Sequence, residues 1–339
     1  MANLALRNPQ FKYIYTSITA KSVVLRLKVD GVVRYTIVKN LNTIGAAQQT
    51  INFDIAELAR DYLEILYDAT YTPQYVDIET ELKSYDDFNG TGNVVDSPAV
   101  EVDKGFEAYG NFLEGANPEI PFIRTAPTYL ISNTAPQTTL NEFTILYPNS
   151  KAGKIPSISS LGGFVVNTFG NIDTSVTTID GVVCEIKRID CTKYGDGNKV
   201  VFINKYGVQQ DLWFFLKKTR KLDRTNEGYK ANTITYPTDS PATYDIQDAP
   251  NKVFNTQGKQ SYTLSSSFYP EFANQFFEEL LLSEYIWLEI KPNPKSKSNI
   301  KVPVKVKTSS IEYKTSVNDR LIEYTIEFEE AFDYINNIR

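Results

Sequence analysis

The chain has 339 residues, none of them histidine, and only two are cysteine. Without an imidazole there is no Ser-His-Asp or Cys-His nucleophile system, no HExxH zinc site and no two-histidine-one-carboxylate iron site. Histidine is also the usual proton carrier near neutrality, so the enzyme classes left are those built on carboxylates, on lysine, or on bound calcium or magnesium. Cys184 and Cys191 are seven positions apart. On one continuous strand that odd offset sends them to opposite faces, where no disulfide can form. They lack the CxxC spacing and are too few for a four-thiolate zinc site, so they are expected to be reduced, partly buried small hydrophobes. No apolar run approaches the ~18 residues of a membrane helix. The opening MANLALRNPQFKYIY has no basic segment followed by an apolar one, so no cleaved signal peptide is expected. A net charge of −6 argues against nucleic acid or an anionic membrane as partner. The expectation is a chain made in the cytoplasm, with no cofactor, no metal and no catalytic residue.

Apolar side chains are plentiful, at 42% of residues, and 13% are aromatic. That is enough for two domains, each with its own core. In SVVLRLKVDGVVRYTIVK, Val23, Leu25, Leu27 and Val29 share one face, Asp30-Gly31 supplies a turn, and Val33, Tyr35 and Ile37 resume the alternation. This pattern predicts a β-hairpin with one buried face. In NFDIAELARDYLEI, Asp54 and Glu57 sit at capping-box spacing and Ile55, Leu58 and Tyr62 fall on one helical face, predicting a short helix near 54–65. QYVDIETELKSY alternates through Val76, Ile78, Thr80 and Leu82, and VEVDKGFEAYGNF reads as the returning strand. Residues 1–113 are therefore expected to form an N-terminal β-sandwich. Residues 114–180, rich in Pro, Ser, Thr and Asn, read as an irregular linker or β extension. Residues 181–339 are expected to form a second β domain. Its strands are DGVVCEIKRI, NKVVFINKYG, QDLWFFLKK, KQSYTLSSSF and IWLEIK, and its helix lies near 270–283 with Phe272, Phe276 and Leu280 in a stripe. In the last strand Ile322, Tyr324, Ile326 and Phe328 face one way, and Glu323, Thr325, Glu327 and Glu329 the other. The fold class expected is mainly β: two sandwich- or barrel-like domains, each with one short amphipathic helix.

Motifs that could carry chemistry have simpler readings. YDDFNGTGN imitates the front half of a calcium loop, but its twelfth position is Pro98, where a bidentate carboxylate belongs; it reads as a hairpin loop. YGDGNK, with Asp196, reads as a tight turn. Glu327, Glu329 and Glu330 end a strand whose outer face is simply charged, and nothing aims paired carboxylates at a cleft. No glycine-rich turn is followed by Lys-Ser/Thr. In QDLWFFLKK, Trp213 and Phe215 share one face while Leu212, Phe214 and Leu216 share the other. Such a strand is either buried between two layers or covered by a partner, which makes Trp213 and Phe215 candidate interface residues. The basic cluster Lys217, Lys218, Arg220 and Lys221 after it reads as a solvated strand end or as a surface for an acidic neighbour. Residues 223–251 look irregular, polar and long enough to project; Tyr229, Tyr236 and Tyr244 within them are candidate binding residues.

Three stretches carry a resemblance: SVVLRLKVDGVVRYTIVK…INFDIAELARDYL, VVFINKYGVQQDLWFF, and the close VPVKVKTSSIEYKTSVNDRLIEYTIEFEEAFD. Together they resemble virion proteins of tailed bacteriophages, particularly those infecting Bacteroidota. The resemblance covers the first ~65 residues and most of 180–339. It implies a non-enzymatic structural component of the tail, from the baseplate, tip or fibre-attachment region. Its partners would be copies of itself and other tail proteins, its location the assembled virion. A host-glycan-binding adhesin or fibre module is the alternative, and a carboxylate-dependent tail hydrolase a further one.

Overall fold

The computed structural model describes residues 3–41, 48–69, 71–72, 74–110, the backbone of five strands between 143 and 189, and residues 197–291, 298–313 and 321–334. The first unit contains β1 (Asn3–Ala5), β2 (Phe11–Thr16), β3 (Ser22–Val29), β4 (Val32–Asn40), β5 (Gln49–Asp54), α1 (Ala56–Arg60), β6 (Tyr75–Tyr85), β7 (Val94–Asp96) and β8 (Glu101–Phe106). Its main sheet runs β1-β8-β6-β3-β4, with β7 added to β6; β2 and β5 form a separate antiparallel ribbon. The β3–β4 hairpin turns where expected, because Asp30 (φ 50°) and Gly31 (φ 76°) both take the left-handed conformation that a two-residue turn needs. Its second strand differs from the expected alternation. Leu27 lies opposite Tyr35 but Lys28 opposite Val33, so Arg34 is an extra residue. This bulge keeps Tyr35 and Ile37 on the core side and turns Val33 outward, leaving it 50% exposed.

Helix α1 is shorter than the capping pattern suggests. Asp54 ends β5 and its Oδ1 accepts hydrogen bonds from Gln10 N (2.9 Å) and Ala56 N (3.1 Å), starting the helix beside a strand end. The YDDFNGTGN segment is a turn held by its own carboxylates: Asp86 accepts from Asn93 N (2.7 Å) and Asp87 from Phe88 N (2.8 Å).

Between the two units lie β9 (Phe143–Pro148), β10 (Gly153–Ile158), β11 (Phe164–Phe169), β12 (Val176–Ile179) and β13 (Val182–Ile189). β13 pairs with β12 on one side and, in parallel, with β9 on the other; β10 and β11 form a hairpin. Cys184 is in β13; Cys191 and Asp196 lie outside the described residues.

The second unit comprises β14 (Asn198–Ile203), β15 (Gln209–Phe214), β16 (Lys218–Lys230), β17 (Ile234–Thr235), β18 (Thr243–Tyr244), β19 (Asn251–Ser265), β20 (Tyr269–Pro270), α2 (Asn274–Leu282), β21 (Ile286–Ile290), β22 (Ile300–Val306), β23 (Leu321–Ile322) and β24 (Thr325–Glu330). Seven strands form one sheet in the order β15-β14-β21-β22-β24-β19-β16. The molecule is thus mainly β, with one short α-helix in each unit among the described residues. Helix α2 lays Phe276, Phe277 and Leu280 on the sheet; Phe277 sits edge-on to Phe214 at 6.2 Å, and Phe214 edge-on to Phe328 at 5.9 Å.

The sheet buries its other face too. Val200, Phe202, Leu288 and Phe328 pack on the α2 side, whereas Val201, Ile203 and Trp287 join the first unit's core with Leu25, Leu27 and Ile78. Alternation along β14 explains the split, since neighbouring side chains serve different layers. At the joint Arg60 binds Glu107 with two nitrogens (2.9 and 2.6 Å) and Glu284 with one (2.7 Å), and Arg7 donates to the carbonyl of Leu282 (3.0 Å).

Candidate functional site

The most distinctive surface is an arm. β16 and β19 are paired from Lys218–Leu264 to Lys230–Asn251, but β19 pairs with β24 only between Ser261 and Ser265. Beyond that root the arm is a two-stranded ribbon that pairs with no further strand among the described residues, roughly 25 Å long at ~3.3 Å per residue. The expectation of an irregular passage at 223–251 is corrected: the stretch to Lys230 is regular strand, and the connecting loop is 231–250, itself pinched by the β17–β18 pair. The basic cluster 217–221 is likewise the start of β16 and not a strand end.

The root is firmly built. Arg220 Nε donates to Gln260 Oε1 (2.7 Å), the Tyr262 hydroxyl donates to the buried Glu330 (2.8 Å), and Tyr334 N donates to the carbonyl of Gly258 (2.8 Å). Burial pushes the Tyr262 phenol up, and the Glu330 carboxylate beside it adds to the shift. Burial also lowers the Lys218 ammonium, with the Arg220 charge acting in the same direction. Asp223 is held below the ordinary carboxylate range, first by its hydrogen bond from Lys221 and further by Lys307.

Farther out the register shifts: Glu227 faces Asn255 and Gly228 faces Val253, so Phe254 is an extra residue on β19. The bulge brings the Phe254 and Tyr229 rings to 6.2 Å, both largely exposed. At the tip Tyr236 is 70%, Tyr244 69% and Ile246 90% exposed. The arm carries all three tyrosines named from the sequence, Tyr229 in the strand β16 and Tyr236 and Tyr244 at the tip. It adds Leu222, Ile234, Ile246 and Phe254, which were missed because a ribbon wet on both faces leaves no apolar alternation to read.

Trp213 and Phe215 belong elsewhere. They are 5% and 3% exposed, packed within the chain's own core, so the two-sided apolar strand is explained by two layers of this molecule and not by a partner. Asp211, beside them on β15, pairs with Lys199 at 2.7 Å and accepts from the Tyr71 hydroxyl. The other buried carboxylates are also individually engaged: Asp103 by Lys12 (2.6 Å), Glu107 by Arg60, Glu279 by the Gln275 amide (2.9 Å) and Glu330 by Tyr262. Among the described residues no three Asp, Glu or Cys side chains converge as a metal site would require.

A second exposed stripe lies on β2, where Phe11, Tyr13 and Tyr15 are 42%, 43% and 65% exposed, opposite Asp54, Asn52 and Thr50 of β5. No helix among the described residues is long and apolar enough to cross a membrane. Comparison of the chain with protein-family models, with curated proteins and with solved structures finds no match.

Proposed function

We propose that this protein is a non-enzymatic structural component of a bacteriophage virion, placed in the tail, which works by assembling with copies of itself and with other tail proteins. The observation that carries the reading is the arm: a two-stranded ribbon, marginal on its own in water, that exposes Leu222, Tyr229, Phe254 and Ile246 instead of burying them. A chain whose large apolar side chains are presented on a projection is suited to contact with other protein. The resemblance of its hairpin-helix start and its closing strands to tail virion proteins points the same way.

The test is direct. Virions of a phage encoding the chain are purified and their tails separated from capsids, and the protein is sought by mass spectrometry and by antibody labelling in electron micrographs. Stoichiometric recovery in the tail fraction is expected; its consistent absence from purified particles would remove the proposal.

A second reading, a glycan-binding tip, draws on one specific feature: Tyr236 and Tyr244 present exposed rings on the same loop as Asn232, Asp239 and Asp245, the residue types that stack on and hydrogen-bond to sugars. A glycan array probed with the full chain and with Tyr236→Ala/Tyr244→Ala decides it. Binding lost in the variant supports it, and an array with no hits rejects it.

A further inference from the structure

Charge is segregated along the arm. Its strands carry Arg220, Arg224, Lys230 and Lys252, and none of these four is in an ion pair among the described residues; Lys221, Lys259 and Asp223 are already paired, and Glu227, the stem's one other exposed acid, accepts from the Asn255 amide (3.2 Å). The loop 231–250 is the reverse: it holds Asp239, Asp245 and Asp248, no Lys and no Arg, and it is exposed almost throughout. Asp245 accepts only local backbone bonds among the described residues, from Gln247 N at its carboxylate (2.9 Å) and from Asp248 N at its carbonyl (3.1 Å). Within one chain the acidic loop is kept from Arg220 and Arg224 by the β16–β19 ladder, which puts Lys230, where the loop begins, roughly 20 Å beyond Arg224 and roughly 33 Å beyond Arg220, at ~3.3 Å per residue.

A rod with a cationic stem and an anionic tip attracts a second such rod most strongly side by side and antiparallel, each tip against the other's stem. A twofold axis generates that arrangement from two identical arms. It also answers two other features of the ribbon. The free edges of β16 and outer β19 offer backbone donors and acceptors to an antiparallel strand, and Tyr229, Val253 and Phe254 on the stem are of the same apolar kind as Tyr236, Tyr244 and Ile246 on the tip. We infer that two copies of this chain associate by antiparallel exchange of their arms, the acidic aromatic tip of one lying on the basic stem of the other. The inference rests on the self-assembly part of the proposed function and names the surface that performs it.

Charge reversal tests it on the full-length protein. In one variant the tip is reversed (Asp239→Lys, Asp245→Lys, Asp248→Lys), and in the other the stem (Arg220→Glu, Arg224→Glu, Lys230→Glu). Sedimentation equilibrium is read at low and high salt, with far-UV circular dichroism confirming that each variant is folded. The wild type is expected to be dimeric or larger, with association weakening as salt rises. Each variant alone sets like charges against each other and should associate at least about tenfold more weakly. An equimolar mixture restores both tip–stem pairings and should recover association as a heterodimer. If the wild type self-associates but neither variant is weakened and the mixture shows no rescue, the arm exchange is wrong while assembly through another surface stands. If the wild type is monomeric even at about 100 µM, the arm exchange and the self-assembly reading fail together.

Discussion

Glu279 is the residue whose environment departs furthest from its sequence appearance. It occurs in an ordinary acidic pair of an amphipathic helix, yet it is 2% exposed, within reach of Lys205 N (3.4 Å) and the Gln275 amide (2.9 Å). Burial raises its carboxyl from 4.5 to about 7; the Lys205 charge and the Gln275 hydrogen bond offset this only in part, and Glu278 adds to it. Because the folded state holds the proton more tightly, stability falls as pH rises through the window from 4.5 to about 7 and levels off above it. Glu279→Gln should remove that slope. The variant's gain over wild type in urea-unfolding free energy should be on the order of 2 kcal/mol larger at pH 7.5 than at pH 5. Equal gains at both pH values would show that the carboxyl titrates normally. At Gly90 the signal was a turn and the cause proves twofold: φ is +72°, and an added Cβ would run into Val24 Cγ2. Gly90→Ala should cost about 1–3 kcal/mol, read as a lower urea midpoint with unchanged slope.

At the level of elements, legibility followed wetting. β6 was readable because one face is buried along its whole length, so Val76, Ile78, Thr80 and Leu82 alternate with charged neighbours. β4 was half readable: the extra residue Arg34 breaks the period in its middle, and a bulge leaves no mark in composition. The stem TRKLDRTNEGYK was not readable as a strand at all, because a ribbon with water on both sides imposes no hydrophobic period and only its pairing partner reveals it. The basic cluster at 217–221 read as a solvated strand end or as a surface for an acidic neighbour; the strand it opens leads into a loop whose exposed charges, Asp239, Asp245 and Asp248, are all acidic. The free ribbon also has a dynamic consequence. In dilute solution the amides of 223–230 should exchange hydrogen faster than those of Val200–Ile203, which are flanked by strands on both sides. Raising protein concentration should slow the arm and leave β14 unchanged; an arm already as protected as β14 in the dilute sample would mean that the ribbon is closed by its own chain.

Across the whole molecule, two units were expected as separate sandwiches, and the packing binds them more closely than that picture requires. Val201, Ile203 and Trp287 leave their own sheet's α2-facing core to complete the first unit's, while Ala5, Phe106 and Ala108 of the first unit enter the second's. Arg60, which grips the buried Glu107 of its own unit, also donates to Glu284 of the second (2.7 Å) and so crosses the same boundary. Removing the apolar support of either unit would expose side chains of the other, so the described parts should unfold together. The chain's only two tryptophans make this measurable. Trp287 packs in the first unit's core, with Tyr67 edge-on at 5.8 Å, and Trp213 in the second's. Single-tryptophan variants Trp213→Phe and Trp287→Phe should give urea transitions that coincide with each other and with circular dichroism once each is corrected for its own stability. Glu107→Ala, which leaves Arg60 without its bidentate partner, should lower both transitions by about 2–3 kcal/mol together. A Trp287 transition that moves while Trp213 stays in place would mean that the boundary is an ordinary domain contact, and that the shared core does not couple the two sheets.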